Sequence, residues 1–346
     1  MRSSWYSLSA ARISLGARMH IFIDESGTFS KPGTKSLSAV GALVVPDRRL
    51  PYLVSRYLRI RNSLPKENGE VKGRLLAEHQ VAAVLNQLQK ADVLFELSVI
   101  DMAMHSEDDI RNHKSGQEHG VTSSLTEDHH PTVRRELFAL RTQLEQMSHQ
   151  LYVQSVLTFD VIARVLRHAT MYYVQRLPRE LASFFWVVDA KEPSNVTPWE
   201  EWWSWAVMPM LQSKFLREPM WHLVGADYSH YDRRFRTRPS EYLRERIQDP
   251  KATEAVDLKK ILSENITFSS ASLPALEIVD IITNAVRRAM VGNLQFEGYK
   301  SLPNIMVHRN SHYIRLVSLA NQQPTTNPPY MPLLNHFILG GKKLVL

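Results

Sequence analysis

The segment Met19-His20-Ile21-Phe22-Ile23-Asp24-Glu25-Ser26-Gly27-Thr28 constrains the fold of this chain more than any other. An apolar run passes directly into two adjacent carboxylates and then into a Ser-Gly turn. Such a run, too short for a helix and bounded by a turn signal, predicts a buried strand that ends in acid. A carboxylate at the end of a central strand is a common way for nucleotide-processing folds to hold a divalent metal. Strand side chains alternate between faces, so Asp24 and Glu25 cannot both serve one site while the strand stays regular. One would bind metal and the other would brace the turn. The simpler alternative is a polar turn, because Asp, Ser and Gly are ordinary turn residues.

Further strands are predicted over Leu37–Val45, Val93–Met102, Phe184–Asp189, His222–Ala226 and Ile266–Phe268. The Gly27, Pro32 and Gly33 turn signals predict an antiparallel pairing of the first two strands. Helices are expected over Arg48–Ser63 and Leu75–Lys90. A long helical stretch from Pro131 to Arg176 reads as a two-helix hairpin or cap. A Trp-rich helix should begin at Pro198, and a last helix should span Leu273–Met290. Residues 103–131 are rich in charge, His and Gly and read as a loop. Three opening strands followed by alternating helix and strand is the succession of an RNase H-like domain, an α/β fold with a mixed sheet flanked by helices. The expected organisation is a leader over 1–18, an RNase H-like domain over 19–295 with a helical insertion at about 103–180, and a C-terminal extension over 296–346. The leader carries Arg2, Arg12 and Arg18 and no acid, and Met19 looks like the natural start.

Composition narrows the chemistry. The 346 residues contain no cysteine, which excludes disulfides, zinc-thiolate sites and thiol nucleophiles and suits a reducing cytoplasm. A formal charge of +7 favours contact with phosphates. No apolar run approaches the roughly 20 residues needed to span a membrane. A GxxxxGK[ST] phosphate loop is absent, which argues against a nucleotide-hydrolysing regulator.

Candidate site residues follow from carboxylates in apolar settings. Asp280 interrupts the run Leu276-Glu277-Ile278-Val279-Asp280-Ile281-Ile282, and Glu277, Asp280 and Asn284 share one helical face. A buried carboxylate is costly unless paired, hydrogen-bonded or metal-bound. A bond from Arg287 or Arg288 would be a purely structural solution. Asp189 ends the Phe184–Asp189 strand, and Asp227 is its rival after Leu223-Val224-Gly225-Ala226. The unit Glu70-Val71-Lys72-Gly73 offers a further metal ligand in Glu70 and a phosphate contact in Lys72, although its spacing also suits a solvated loop. Arg233, Arg234 and Arg236 open an arginine-rich stretch able to track a phosphate backbone, or else a solvated face. His129-His130, beside Glu127 and Asp128, read as part of a solvated loop. The tryptophans at 199–205 read as core or interface, and with the helical insertion they supply a candidate surface for a homo-oligomer.

These motifs together resemble the domain-of-unknown-function 3800 family. That family begins with a hydrophobic strand running into Asp-Glu-Ser-Gly, carries Glu-hydrophobic-Lys-Gly, and ends in a helix of the form Leu-Gln-hydrophobic-Ala-Asp. Here these fall on Asp24-Glu25-Ser26-Gly27, Glu70-Val71-Lys72-Gly73 and Leu276-Glu277-Ile278-Val279-Asp280. Glu277 stands where Gln is usual and Val279 where Ala is usual. The match spans roughly residues 19–290 and leaves out 131–180 and the tail. The resemblance implies a metal-dependent nuclease or related phosphodiester hydrolase, acting in bacterial defence against mobile DNA. Asp24, Asp189, Asp280 and Glu70 would then hold Mg²⁺ or Mn²⁺, with Glu25 able to complete the set. Lys72 and the arginines would meet nucleic acid, DNA or RNA. The alternative is a non-catalytic module of the same fold that binds nucleic acid or protein and keeps the acids as turns and caps.

Overall fold

The computed structural model describes residues 17–30, 37–123, 125–127, 129–190, 197–239, 254–308, 313–320, 328–338 and 340–346. Its centre is a mixed sheet of six strands: β1 (Met19–Ser26), β2 (Leu37–Pro46), β3 (Leu94–Asp101), β4 (Phe184–Asp189), β5 (Ile266–Ser269) and β6 (Arg315–Leu316). Their spatial order is β6-β3-β2-β1-β4-β5. β2 runs antiparallel to both β1 and β3, whereas β4 pairs parallel with β1 and β5 parallel with β4. β6 joins the far edge parallel to β3. Every residue of β2 is buried, as expected of an inner strand covered on both faces.

Two apolar layers flank the sheet. One holds Met19, Ile21 and Ile23 of β1 with Phe184, Trp186 and Val188 of β4, under helix α5 (His149–Val174). The other holds Phe22 and Val187, under α1 (Leu50–Arg61), α2 (Glu78–Gln89) and α10 (Pro274–Met290). Side-chain alternation therefore directs Asp24, Ser26 and Asp189 to the α10 face and Glu25 to the other. α10 starts with Pro274 at its first position, where a missing N–H costs nothing, and buries nearly its whole length.

The first four predicted strands and the Ile266 strand are present. The two-helix expectation for 131–176 is met by α4 (Pro131–Gln146) and α5, with Ser148 capping the second through Leu151 N–H at 3.2 Å. Two expectations are corrected. Residues 222–226 form no strand: the backbone turns at Gly225 with φ +84°, and Val224 is 92 % exposed. Leu223, Val224 and Ala226 suggest a strand by their apolar character, but no neighbouring segment pairs with them among the described residues. Residues 103–131 are not simply a loop, because α3 spans Glu107–Thr122. Its start is a capping box: Ser106 Oγ accepts from Asp109 N–H at 3.1 Å, and Asp109 Oδ2 accepts from Ser106 N–H at 2.8 Å. Its polar exterior hid it, since only Ile110 and Lys114 are buried.

The Trp-rich helix α6 (Pro198–Trp205), its successor α7 (Val207–Arg217) and the short α9 (Leu258–Ser263) pack on the α5 side. Trp199, Trp202 and Trp203 are buried there, so they serve the core. The C-terminal segment contributes β6 at the sheet edge and Tyr313, Leu334 and Phe337 to the α10-side core. The leader at 1–16, Pro32-Gly33, Asp128 and the arginines beyond 239 lie outside the described residues. Among the described residues, no helix is long and apolar enough to cross a membrane.

Candidate active site

Asp24 lies two residues before the end of β1 at 8 % exposure, and its Oδ1 accepts the Glu25 N–H at 2.7 Å. Ile23 pairs with Val188 in the parallel β1–β4 ladder, so the next step sets Asp24 beside Asp189. Both point to the α10 face. On the other side, Asp24 pairs with Gly41 of β2. A Cβ at Gly41 would fall on Thr283 Oγ1 of α10, so the helix sits hard against the sheet there. One turn before Thr283, α10 presents Asp280. Three acids from β1, β4 and α10 thus share one end of one sheet face.

A small hairpin completes the cleft. Lys66–Glu67 pairs with Glu70–Val71, and the turn uses Asn68 and Gly69 at positive φ, which matches the twist of a two-residue hairpin. The segment after it docks on α10. Val71 N–H donates to Glu277 Oε1 at 3.1 Å and Gly73 N–H donates to Asp280 Oδ2 at 2.7 Å. Arg288 donates to the Gly73 and Leu76 carbonyls at 3.0 and 2.7 Å. The Glu-Val-Lys-Gly unit is therefore a docked element rather than a solvated loop. Lys72 Nζ pairs with Glu70 Oε2 at 2.5 Å.

The electrostatics tie four of these groups together. Burial pushes the Asp189 carboxyl up to about 6, with the Glu70 and Asp280 charges adding and Lys72 opposing. Burial also raises Asp280, against the Gly73 N–H bond and the Lys72 charge. Burial pulls the Lys72 ammonium down, but Glu70, Asp280 and Asp189 outweigh it and hold the group above its ordinary value. Arg74 also opposes the rise at Asp280, and Lys72 faces the Glu70, Asp189 and Asp280 carboxylates together.

Glu277 has a different role. Burial would raise its carboxyl, yet bonds from Arg61, Ser272, Val71 N–H and Tyr57 hold it below the ordinary range. Arg61 grips it with Nε at 2.6 Å and a terminal nitrogen at 2.5 Å, and Tyr57 donates at 2.8 Å. The Arg61 guanidinium gives the buried Glu277 carboxylate its counter-charge.

Several expected participants lie elsewhere. Glu25 is directed away by alternation. Asp227 is exposed and accepts Ser229 N–H at 2.9 Å at the start of α8 (Ser229–Phe235). Arg233, Arg234 and Arg236 belong to α8 and the residue after it, and α8 buries Tyr231 and Phe235 in the α5-side core. Arg234 pairs with Glu264 at 2.7 Å, and Arg236 with Asp232 and Glu254 at 2.6 and 2.7 Å. Arg287 and Arg288 donate to backbone carbonyls of Leu37, Gly73 and Leu76. His129 and His130 bond locally to Thr126 and Thr132.

Two buried polar atoms at this cleft, Thr283 Oγ1 and Asn284 Oδ1, have no hydrogen-bond partner. Helical spacing placed Asn284 on the Asp280 face, but an amide carries no charge to mark it. Among the described residues, no three His, Cys, Asp or Glu side chains are gathered tightly enough to enclose a metal as they stand. The donor chemistry nonetheless suits a hard divalent cation: carboxylates in charge surplus and an unpaired amide oxygen. No protein-family model, curated protein or solved structure matches this chain.

Proposed function

We propose that this chain is an RNase H-like, metal-dependent phosphodiester hydrolase acting on nucleic acid. The fold assignment is supported by three opening strands, a later parallel strand and a late helix, with acids from β1, β4 and α10. The activity rests on one observation: Asp24, Asp189 and Asp280 come to one end of one face, and the last two are held above ordinary carboxylate values. Bringing a divalent cation to such a place relieves both desolvation and repulsion.

Asp24, Asp189 and Asp280 would hold Mg²⁺ or Mn²⁺, with Glu70 as a further oxygen donor. When bound, such ions supply an activated water and stabilise the leaving oxygen of a phosphodiester. The chain's own residues do the positioning. Gly73 N–H fixes the Asp280 carboxylate, and Lys72 presents its ammonium where a phosphate oxygen can displace Glu70. The setting in bacterial defence rests on the family resemblance alone.

The test is a thermal-shift titration with Mg²⁺ and Mn²⁺ on wild type, Asp24→Asn and Asp280→Asn, followed by cleavage assays on labelled DNA and RNA. Wild type should gain stability and cleave; both variants should stay folded and lose both responses. Cleavage retained in Asp24→Asn sinks the assignment. The alternative, a non-catalytic binding module, is favoured by the Lys72 ammonium already set among Glu70, Asp189 and Asp280, because an internal cation neutralises part of the acid charge. It predicts binding of nucleic acid or protein with no metal response.

A further inference from the structure

Asn284 follows Asp280 by one helical turn and shares its face. Cα–Cβ bonds in a helix tilt towards the N-terminus, so the Asn284 side chain leans towards Asp280. The residue is 7 % exposed. One end of its amide is fixed, with Nδ2 donating to Ser26 Oγ at 3.1 Å. The other end, Oδ1, is buried without a partner. Leaving such an acceptor unpaired costs about 1–3 kcal/mol, a cost that a bound water or cation would remove.

The neighbours of this amide are the site itself. Ser26 follows Asp24 by two residues and points to the same face. Gly73, whose N–H holds Asp280, packs so closely that a Cβ there would lie 2.9 Å from Asn284 Cβ. The amide therefore bridges the strand end that carries Asp24 and the helix turn that carries Asp280. Ser26 engages the nitrogen, which leaves the oxygen for a cation. A neutral oxygen suits this place, because another carboxylate would deepen the charge surplus that already raises Asp189 and Asp280.

We propose that Asn284 is a further oxygen donor of the cation site, its Oδ1 joining the carboxylates of Asp24, Asp189 and Asp280. The proposal rests on the metal-binding function proposed above. It is tested by calorimetric Mn²⁺ titration of the full chain as wild type, Asn284→Ala, Asn284→Asp and Asp24→Asn, with urea unfolding in chelator as the folding control. Asn284→Ala should weaken Mn²⁺ binding about tenfold or more, the effect of removing a supporting ligand. Asn284→Asp should strengthen it several-fold. Should Asn284→Ala not fold, the isosteric Asn284→Asp decides. Wild-type affinity in either folded variant, with binding lost in Asp24→Asn, overturns this inference and leaves the metal site standing. A wild type that binds no Mn²⁺ overturns both.

Discussion

Replacing Gly73 by alanine isolates the contact that joins the Glu-Val-Lys-Gly segment to α10. The added methyl would fall 2.8 Å from Ile281 Cα, 2.9 Å from Asn284 Cβ and 3.1 Å from the Asp280 carbonyl oxygen. Ordinary carbon–carbon contacts are about 3.5–4.0 Å. Two of the three atoms are helix backbone and cannot swing aside, so the segment must retreat by about 0.5–1 Å to restore those contacts. That movement stretches the 2.7 Å Gly73 N–H to Asp280 bond past useful geometry. A hydrogen bond to a charged group contributes about 1.5–3 kcal/mol, and overpacking costs about 1–3 kcal/mol. The two partly overlap, since retreat relieves the clash as it breaks the bond. Lower chain entropy in the unfolded state returns about 0.4–1 kcal/mol. The expected net destabilisation is about 2–4 kcal/mol. Urea unfolding followed by tryptophan fluorescence measures it. Gly69→Ala is the control: nothing lies within 4 Å of its Cβ, and only the strain of φ +85° opposes it, at about 1 kcal/mol. A Gly73→Ala stability within about 0.5 kcal/mol of wild type, or a Gly69→Ala cost as large, would refute the close docking of this segment on α10.

Two further perturbations test the electrostatics. Glu277→Gln leaves Arg61, Tyr57 and Val71 N–H facing an amide with one acceptor oxygen; because Arg61 keeps some exposure, about 2–3 kcal/mol of stability should be lost in chemical denaturation, and a loss below about 0.5 kcal/mol would contradict the structural role. Asp189 has its folded value raised from 3.8 to about 6, so its favourable contribution is complete below about pH 3.8 and is lost as pH rises through 6. In metal-free protein, Asp189→Asn should therefore gain on wild type as pH rises from 4 to 7, by an amount on the order of 2–3 kcal/mol; a stability difference that does not change across that window would refute the raised value.

Local sequence determined much of the framework. Met19–Gly27 carries the strand, its terminal acid and its turn within a few residues, and α10 carries its Pro start and apolar faces in the same way. Alternation further fixed that Asp24 and Glu25 must part company. The errors came where local signals conflict with environment: Leu223–Ala226 is apolar enough for a strand but has no partner, while α3 is polar enough for a loop but is started by a capping box and held against its neighbour α4.

The site itself depended on pairings that no local window contains. Asp24 meets Asp189 only because β1 and β4 run parallel in one register, across more than 160 residues of sequence. The Glu-Val-Lys-Gly unit acquired its role from Gly73 meeting Asp280, and Glu277 acquired Arg61, each over more than 200 residues. Residue type sets what a side chain can do when buried, and a strand or helix pattern sets which way it points. Which groups become neighbours is decided by how apolar layers close around the sheet, because that packing fixes the distances over which charge and hydrogen bonding act.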